Sequence, residues 1–114
     1  AHYNLGIIYT QLREYDNAKH AYLTALQLND GFVEARFNLG AVYLQLKQYD
    51  LVVETFEEVL RRSPRGADFL PKESRIRLQL GLIYWEIRKD KSKAIEHLER
   101  ALDIDPGRAE ETAD

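Results

Sequence analysis

Tyr3-Asn4-Leu5-Gly6-Ile7-Ile8-Tyr9 is written three times in this chain. It returns as Phe37-Asn38-Leu39-Gly40-Ala41-Val42-Tyr43 and again as Leu78-Gln79-Leu80-Gly81-Leu82-Ile83-Tyr84. Each copy reads aromatic or leucine, amide, leucine, glycine, apolar, aliphatic, tyrosine. Gly6 and Gly40 lie 34 residues apart, and Gly40 and Gly81 lie 41 apart. A phrase recurring at such a period marks one supersecondary unit used repeatedly, each copy burying its apolar face against the next. A glycine inside a helix costs about 1 kcal/mol relative to alanine. Three at equivalent points require a reason, and close helix–helix approach supplies one. Gly40 is expected where its helix crosses the second helix of the same repeat.

Outward from the phrase, the chain reads as paired helices. Residues 1–13 place Leu5, Ile8, Tyr9 and Leu12 on one stripe, at helical spacing. After Arg13-Glu14-Tyr15, Asp16 is expected to cap a helix reaching about Leu28, with Ala18, Tyr22, Ala25 and Leu26 inward. Asn29-Asp30-Gly31 is a turn triplet. The second pair covers about 32–46 and 50–62, with Asp50 as cap and Val52, Phe56, Val59 and Leu60 inward, and Ser63-Pro64 stops it. A seven-residue excess within Arg65–Glu73 then delays the third pair, and it is expected to lie outside the stack. The next helix is expected from 71 or 72, because Pro71 suits a first turn, and carries Ile76, Leu80, Ile83, Tyr84 and Ile87. Ser92 is the expected cap of a last helix over about 92–104, with Ala94, Leu98, Ala101 and Leu102 inward. Asp105-Pro106-Gly107 ends that helix, and 107–114 begin a further one. The rival architecture is an ordinary helical bundle.

Here a resemblance appears. The small and aromatic marks, from Leu5, Gly6, Tyr9, Ala18, Tyr22 and Ala25 through Leu80, Gly81, Tyr84, Ala94, Leu98, Ala101 and Pro106, resemble the tetratricopeptide repeat over nearly all of residues 1–106. The middle copy departs from the pattern with Val52 and Val59 where alanine is usual, and His2, Arg36 and Arg77 stand where tryptophan is frequent. The resemblance implies an all-α, right-handed superhelical solenoid in one domain. Its repeats fall at about 1–31, 32–64 and 72–106, with the inserted loop at about 65–71.

Composition narrows the function. The chain has 114 residues, 45% apolar and 31% charged, and no cysteine. That suffices for a core, excludes disulfides and thiolate metal sites, and leaves the compartment open. No run of 18 apolar residues occurs, so no membrane span is expected. The chain begins inside the repeat pattern without methionine and reads as a fragment of a longer protein, with stacking faces at both ends suited to end-to-end self-association.

Catalysis needs convergent groups, and none are visible. His2, His20 and His97 read as solvated surface histidines, no metal-ligand spacing or phosphate loop occurs, and Glu54, Glu57 and Glu58 read as a solubilising face. No enzyme activity, cofactor or metal is expected. Residues 61–93 hold ten basic and four acidic side chains between acidic flanks. Arg61, Arg62, Arg65, Lys72, Arg75 and Arg77 surround Phe69, a combination able to grip a single-stranded nucleic acid or another polyanion. The chain is acidic overall, with net charge −3, and nucleic acid is disfavoured. A structural spacer in a longer array is the remaining alternative.

The resemblance implies instead a concave groove lined by the first helix of each repeat, which binds a protein or peptide with an apolar segment. Carried over, repeat one presents Tyr3, Asn4, Ile7, Thr10 and Gln11, and repeat two Glu34, Phe37, Asn38, Ala41, Leu44 and Gln45. Repeat three presents Arg75, Leu78, Gln79, Leu82, Trp85 and Glu86. The family's clamp for carboxylate tails retains only Asn38 and Arg75; Tyr3, Ile7 and Gln79 occupy its other positions, so chaperone tails are not the expected ligand. Helix neighbours point about 100° apart. If Tyr84 belongs to the stack, as its repeats Tyr9 and Tyr43 suggest, Trp85 is turned toward the concave side beside Leu78 and Leu82.

Overall fold

The computed structural model describes residues 1–62 and 69–105. Six helices occupy them: α1 His2–Gln11, α2 Tyr15–Leu28, α3 Val33–Gln45, α4 Tyr49–Arg62, α5 Leu70–Glu86 and α6 Lys91–Ile104. No strand occurs among the described residues. The expected Ser63-Pro64 stop, residues 65–68 of the insertion, Pro106-Gly107 and the further helix lie outside them. The chain forms two compact units, Ala1–Ser63 and Pro64–Asp114. In the first, α1 packs on α2, α2 on α3 and α3 on α4; in the second, α5 packs on α6.

The glycines are crossing points. A Cβ on Gly6 would lie 2.5 Å from Tyr22 Cε1, one on Gly81 2.6 Å from Leu98 Cγ, and one on Gly40 would overlap the Cε1–Cδ1 edge of Phe56. Each glycine thus makes room for the large residue of its partner helix. Ala18, Val52 and Ala94 are fully buried close by, one turn before those large residues.

Each intra-repeat turn ends on a tyrosine carbonyl. Tyr9 O accepts from Glu14 N at 2.9 Å, Tyr43 O from Gln48 N at 3.0 Å and Tyr84 O from Asp90 N at 2.8 Å. In the first two turns Arg13 N and Lys47 N also donate, each at 3.0 Å, to Thr10 O and Leu44 O, completing Schellman motifs. The left-handed positions are held by Arg13, Lys47 and Lys89, at φ 61°, 58° and 56°. That conformation disfavours L side chains by about 1–2 kcal/mol, and no glycine marks it in the sequence. Between repeats, Gly31 N donates to Asn29 Oδ1 at 3.2 Å, as a turn triplet should.

Several expectations are corrected. α2 begins at Tyr15, after an N-cap Glu14 that makes no side-chain cap bond, so Asp16 sits inside the first turn, where its charge complements the helix dipole. Asp50 likewise lies in the first turn of α4. The cap of α6 is Asp90, whose Oδ1 accepts from Lys93 N at 3.2 Å; Ser92 is already helical. The inserted segment is not wholly outside the packing: Phe69 is buried, and Leu70 and Pro71 form the first turn of α5. Leu5, Ile8 and Leu12, on the stripe of α1, are exposed, and so is Ile87 at the end of α5. His97 is half-buried, stacked on Tyr84 at 5.7 Å with Nδ1 3.3 Å from Arg77 Nη1, so it is not a solvated surface histidine.

Candidate functional site: a groove on the first helices

In the first unit, α1 and α3 present Ile7, Thr10, Gln11, Asn38 and Ala41 around a depression of about 170 Å³, floored by Tyr22 of α2. Heptad-like spacing brings this about: Ile7 and Gln11 lie one turn apart on α1, and Asn38 and Ala41 one turn apart on α3. Tyr3 is half-buried between Phe32, at 4.7 Å between ring centroids, and Tyr22, at 6.1 Å. Asn38 Nδ2 donates to the Tyr3 hydroxyl at 3.5 Å, and Thr10 Oγ1 donates to Gly6 O at 2.8 Å. Burial pushes the Tyr22 phenol up from its ordinary value, against the lowering by hydrogen bonds with Thr10 and Asn38. Tyr22 is therefore a neutral, hydrogen-bonded floor.

Of the residues expected in the groove, Tyr3, Ile7, Thr10, Gln11, Asn38 and Ala41 gather here. Asn4, Glu34 and Gln45 are exposed and Leu44 is half-buried on the same helices. Phe37 is not groove surface: it is buried and stacks on Phe56, with centroids 6.0 Å apart, because it fills the α3–α4 packing. Leu78 is buried as well and drops from the accessible set. In the second unit, Arg75, Leu82, Trp85 and Glu86 are exposed and Gln79 half-buried on α5. Trp85 is 43% exposed beside Tyr84 at 3%, and Lys91 Nζ lies 5.3 Å from its ring centroid.

Tyr22 escaped the sequence reading, which placed it in the stack alone. The signal was present: its equivalents are Phe56 and Leu98, so a hydroxyl stands here at an otherwise apolar position. A larger cleft, about 570 Å³, lies on another face of α3 among Leu23, Leu26, Leu39 and Tyr43. Its rim carries ion pairs of Asp30 with Arg36, at 3.1 Å, and with Arg62, which also pairs with Glu58. Glu58 pairs with Arg61 too, and Glu73 with Arg77 at 2.8 Å. Much of the basic region is thus engaged internally, and Phe69 is buried away from any base it could stack on.

Among the described residues, no three His, Asp or Glu side chains converge on a metal-sized site. No described helix is long and apolar enough to cross a membrane.

Comparison with protein families matches the tetratricopeptide repeat at residues 31–106 and again at 1–32. The chain belongs to the tetratricopeptide repeat family. Repeats of this family are protein-interaction modules and are typically non-catalytic. No curated protein matches the chain. Among solved structures it is similar to the crystal structure of MamA, with 25% identity and a TM-score of 0.77 over 96% of this chain and 59% of that one. The MamA RS-1 ArsTM double mutant is similar at 32% identity and TM-score 0.77, over 92% and 55%. This tetratricopeptide repeat chain therefore spans less than two thirds of the length of either MamA structure. YrrB, a TPR protein with an unusual peptide-binding site, shares the fold at 18% identity and TM-score 0.54, over 92% and 85%.

Proposed function

We propose that this chain is a non-catalytic binding module that holds an apolar peptide or helix of a protein partner against its first helices, as a scaffold or adaptor. The supporting observation is the α1–α3 depression, with Ile7 and Ala41 as apolar walls and Asn38, Thr10 and Gln11 as polar rim. An apolar centre with a polar rim is the anatomy of an interface. On α5, exposed Leu82 and Trp85 with Arg75 and Gln79 form a second such face, and Trp85 is its proposed hot spot.

The test is selection from a random peptide display library on the purified chain, followed by affinity measurement on variants. Ile7→Glu should abolish binding of peptides held by α1 and α3. Trp85→Ala should weaken peptides held by α5 about thirtyfold, corresponding to roughly 2 kcal/mol, with little change in melting because the ring is exposed. A library that yields no binder, or binders indifferent to both changes, overturns the reading and favours a spacer.

A further inference from the structure

We propose that the α1–α3 depression is a recognition pocket for one uncharged, ring-bearing side chain of the partner that donates a hydrogen bond, tyrosine in preference to phenylalanine. This rests on the groove reading above and names what the groove selects. The size sets the first constraint: a cavity of about 150 Å³ accepts a benzene ring, and this one has about 170 Å³.

Charge sets the second constraint. None of the six lining residues is charged at neutral pH, and a buried charge without a partner is strongly disfavoured. The occupant is therefore neutral.

The third constraint comes from Asn38. A carboxamide has two donors at one end and one acceptor at the other. Its Nδ2 donates to the Tyr3 hydroxyl at 3.5 Å, and Asn38 lowers the Tyr22 phenol as a hydrogen-bond donor does. The opposite end is Oδ1, on a half-buried side chain that lines the pocket. No donor reaches that oxygen among the described residues. A ring that brings a donor satisfies it, and a plain ring leaves it desolvated and unpaired, which is how a site rejects an analogue lacking one polar group. Thr10 adds no competing donor, because its hydroxyl hydrogen goes to Gly6 O.

The experiment uses p-cresol and toluene, the side chains of tyrosine and phenylalanine, in amide-detected NMR titrations of the whole chain. p-Cresol should shift Thr10, Asn38 and Ala41 saturably and bind about three- to tenfold tighter than toluene, the span of one net hydrogen bond. Asn38→Leu should erase that preference while Asn38→Asp, which keeps the acceptor, retains it. Ala41→Leu should exclude both probes, and because Ala41 is exposed the fold survives, as the amide spectrum will report. Equal affinity of the two probes, or a preference that outlives Asn38→Leu, overturns the donor requirement. The absence of saturable shifts at these residues overturns the pocket. If that happens while displayed peptides still bind and still fail on Ile7→Glu, the groove stands without the pocket. If p-cresol behaves as stated and no displayed peptide binds, the pocket stands and the groove reading falls.

Discussion

α1 and α3 carry the same seven-residue phrase and close with the same left-handed turn, yet they meet different surroundings. Leu39 and Val42 of α3 are 3% and 1% exposed, while their equivalents Leu5 and Ile8 in α1 are 42% and 49% exposed. α3 has α2 packed on one side and α4 on another; α1 packs on α2. The difference teaches what a repeat encodes. The phrase specifies which residues form a stacking face, and the neighbouring repeat decides whether that face is buried.

The largest expected effect tests that statement directly. Leu39→Ala removes a buried side chain and should destabilise by about 2–5 kcal/mol, while Leu5→Ala should stay within about 1 kcal/mol, since exposed positions contribute little. Urea denaturation of both variants measures the contrast. Equal losses would mean that Leu5 is covered in solution and that the two helices do not differ.

Next in size are the glycines. Gly40→Leu drives a side chain into the Phe56 ring, which is itself buried and stacked on Phe37 and has little room to give. Overpacking of this kind costs about 1–3 kcal/mol. Gly6→Leu meets Tyr22 instead, beside the open depression, so the ring can move and the loss should be the smaller of the two. A Gly40→Leu melting temperature within about a degree of the parent would remove Gly40 as a crossing residue.

These two pairs also show how much could be read beforehand. Helix pairing, the glycine crossings and helix ends to within a residue or two follow from local spacing and sterics, and all were legible. The burial of Phe37 depends on Phe56, a partner on the following helix, which the periodicity of α3 alone does not report. Nor does composition mark the turns, because Arg13, Lys47 and Lys89 adopt a backbone usually flagged by glycine. At the site, the rim residues Thr10, Gln11 and Asn38 come from the family resemblance, carried over position by position, and helical spacing alone does not single them out. Tyr22 was not legible as part of it, because the same side chain fills a crossing and floors a pocket.

The smallest expected effect concerns a clasp that α3 has and α1 lacks. Asp30, just before α3, bonds Arg36 on α3 and Arg62 at the end of α4, and Arg62 also holds Glu58. The residue equivalent to Arg36 in α1 is the exposed His2. The hydrogen bond from Arg62, followed by its charge, holds the Asp30 carboxyl below its ordinary value of 3.8. Hydrogen bonds from Arg61 and then Arg62 hold Glu58 below 4.5. Both folded values lie below the unfolded ones, so the contribution is fully present above the ordinary values and is lost as pH falls through the lowered ones. The loss should therefore begin below about 4.5 and continue below about 3.8, with no change between there and neutrality. Because Asp30 is exposed and salt screens such pairs, the effect should be slight and should shrink at about 1 M salt. Thermal melts of the parent and Asp30→Asn, taken from neutral pH down to about pH 2, should converge at the acid end and separate above it. Curves that run parallel throughout would mean the clasp contributes nothing, leaving the α2 and α4 packing as the whole difference between α3 and α1.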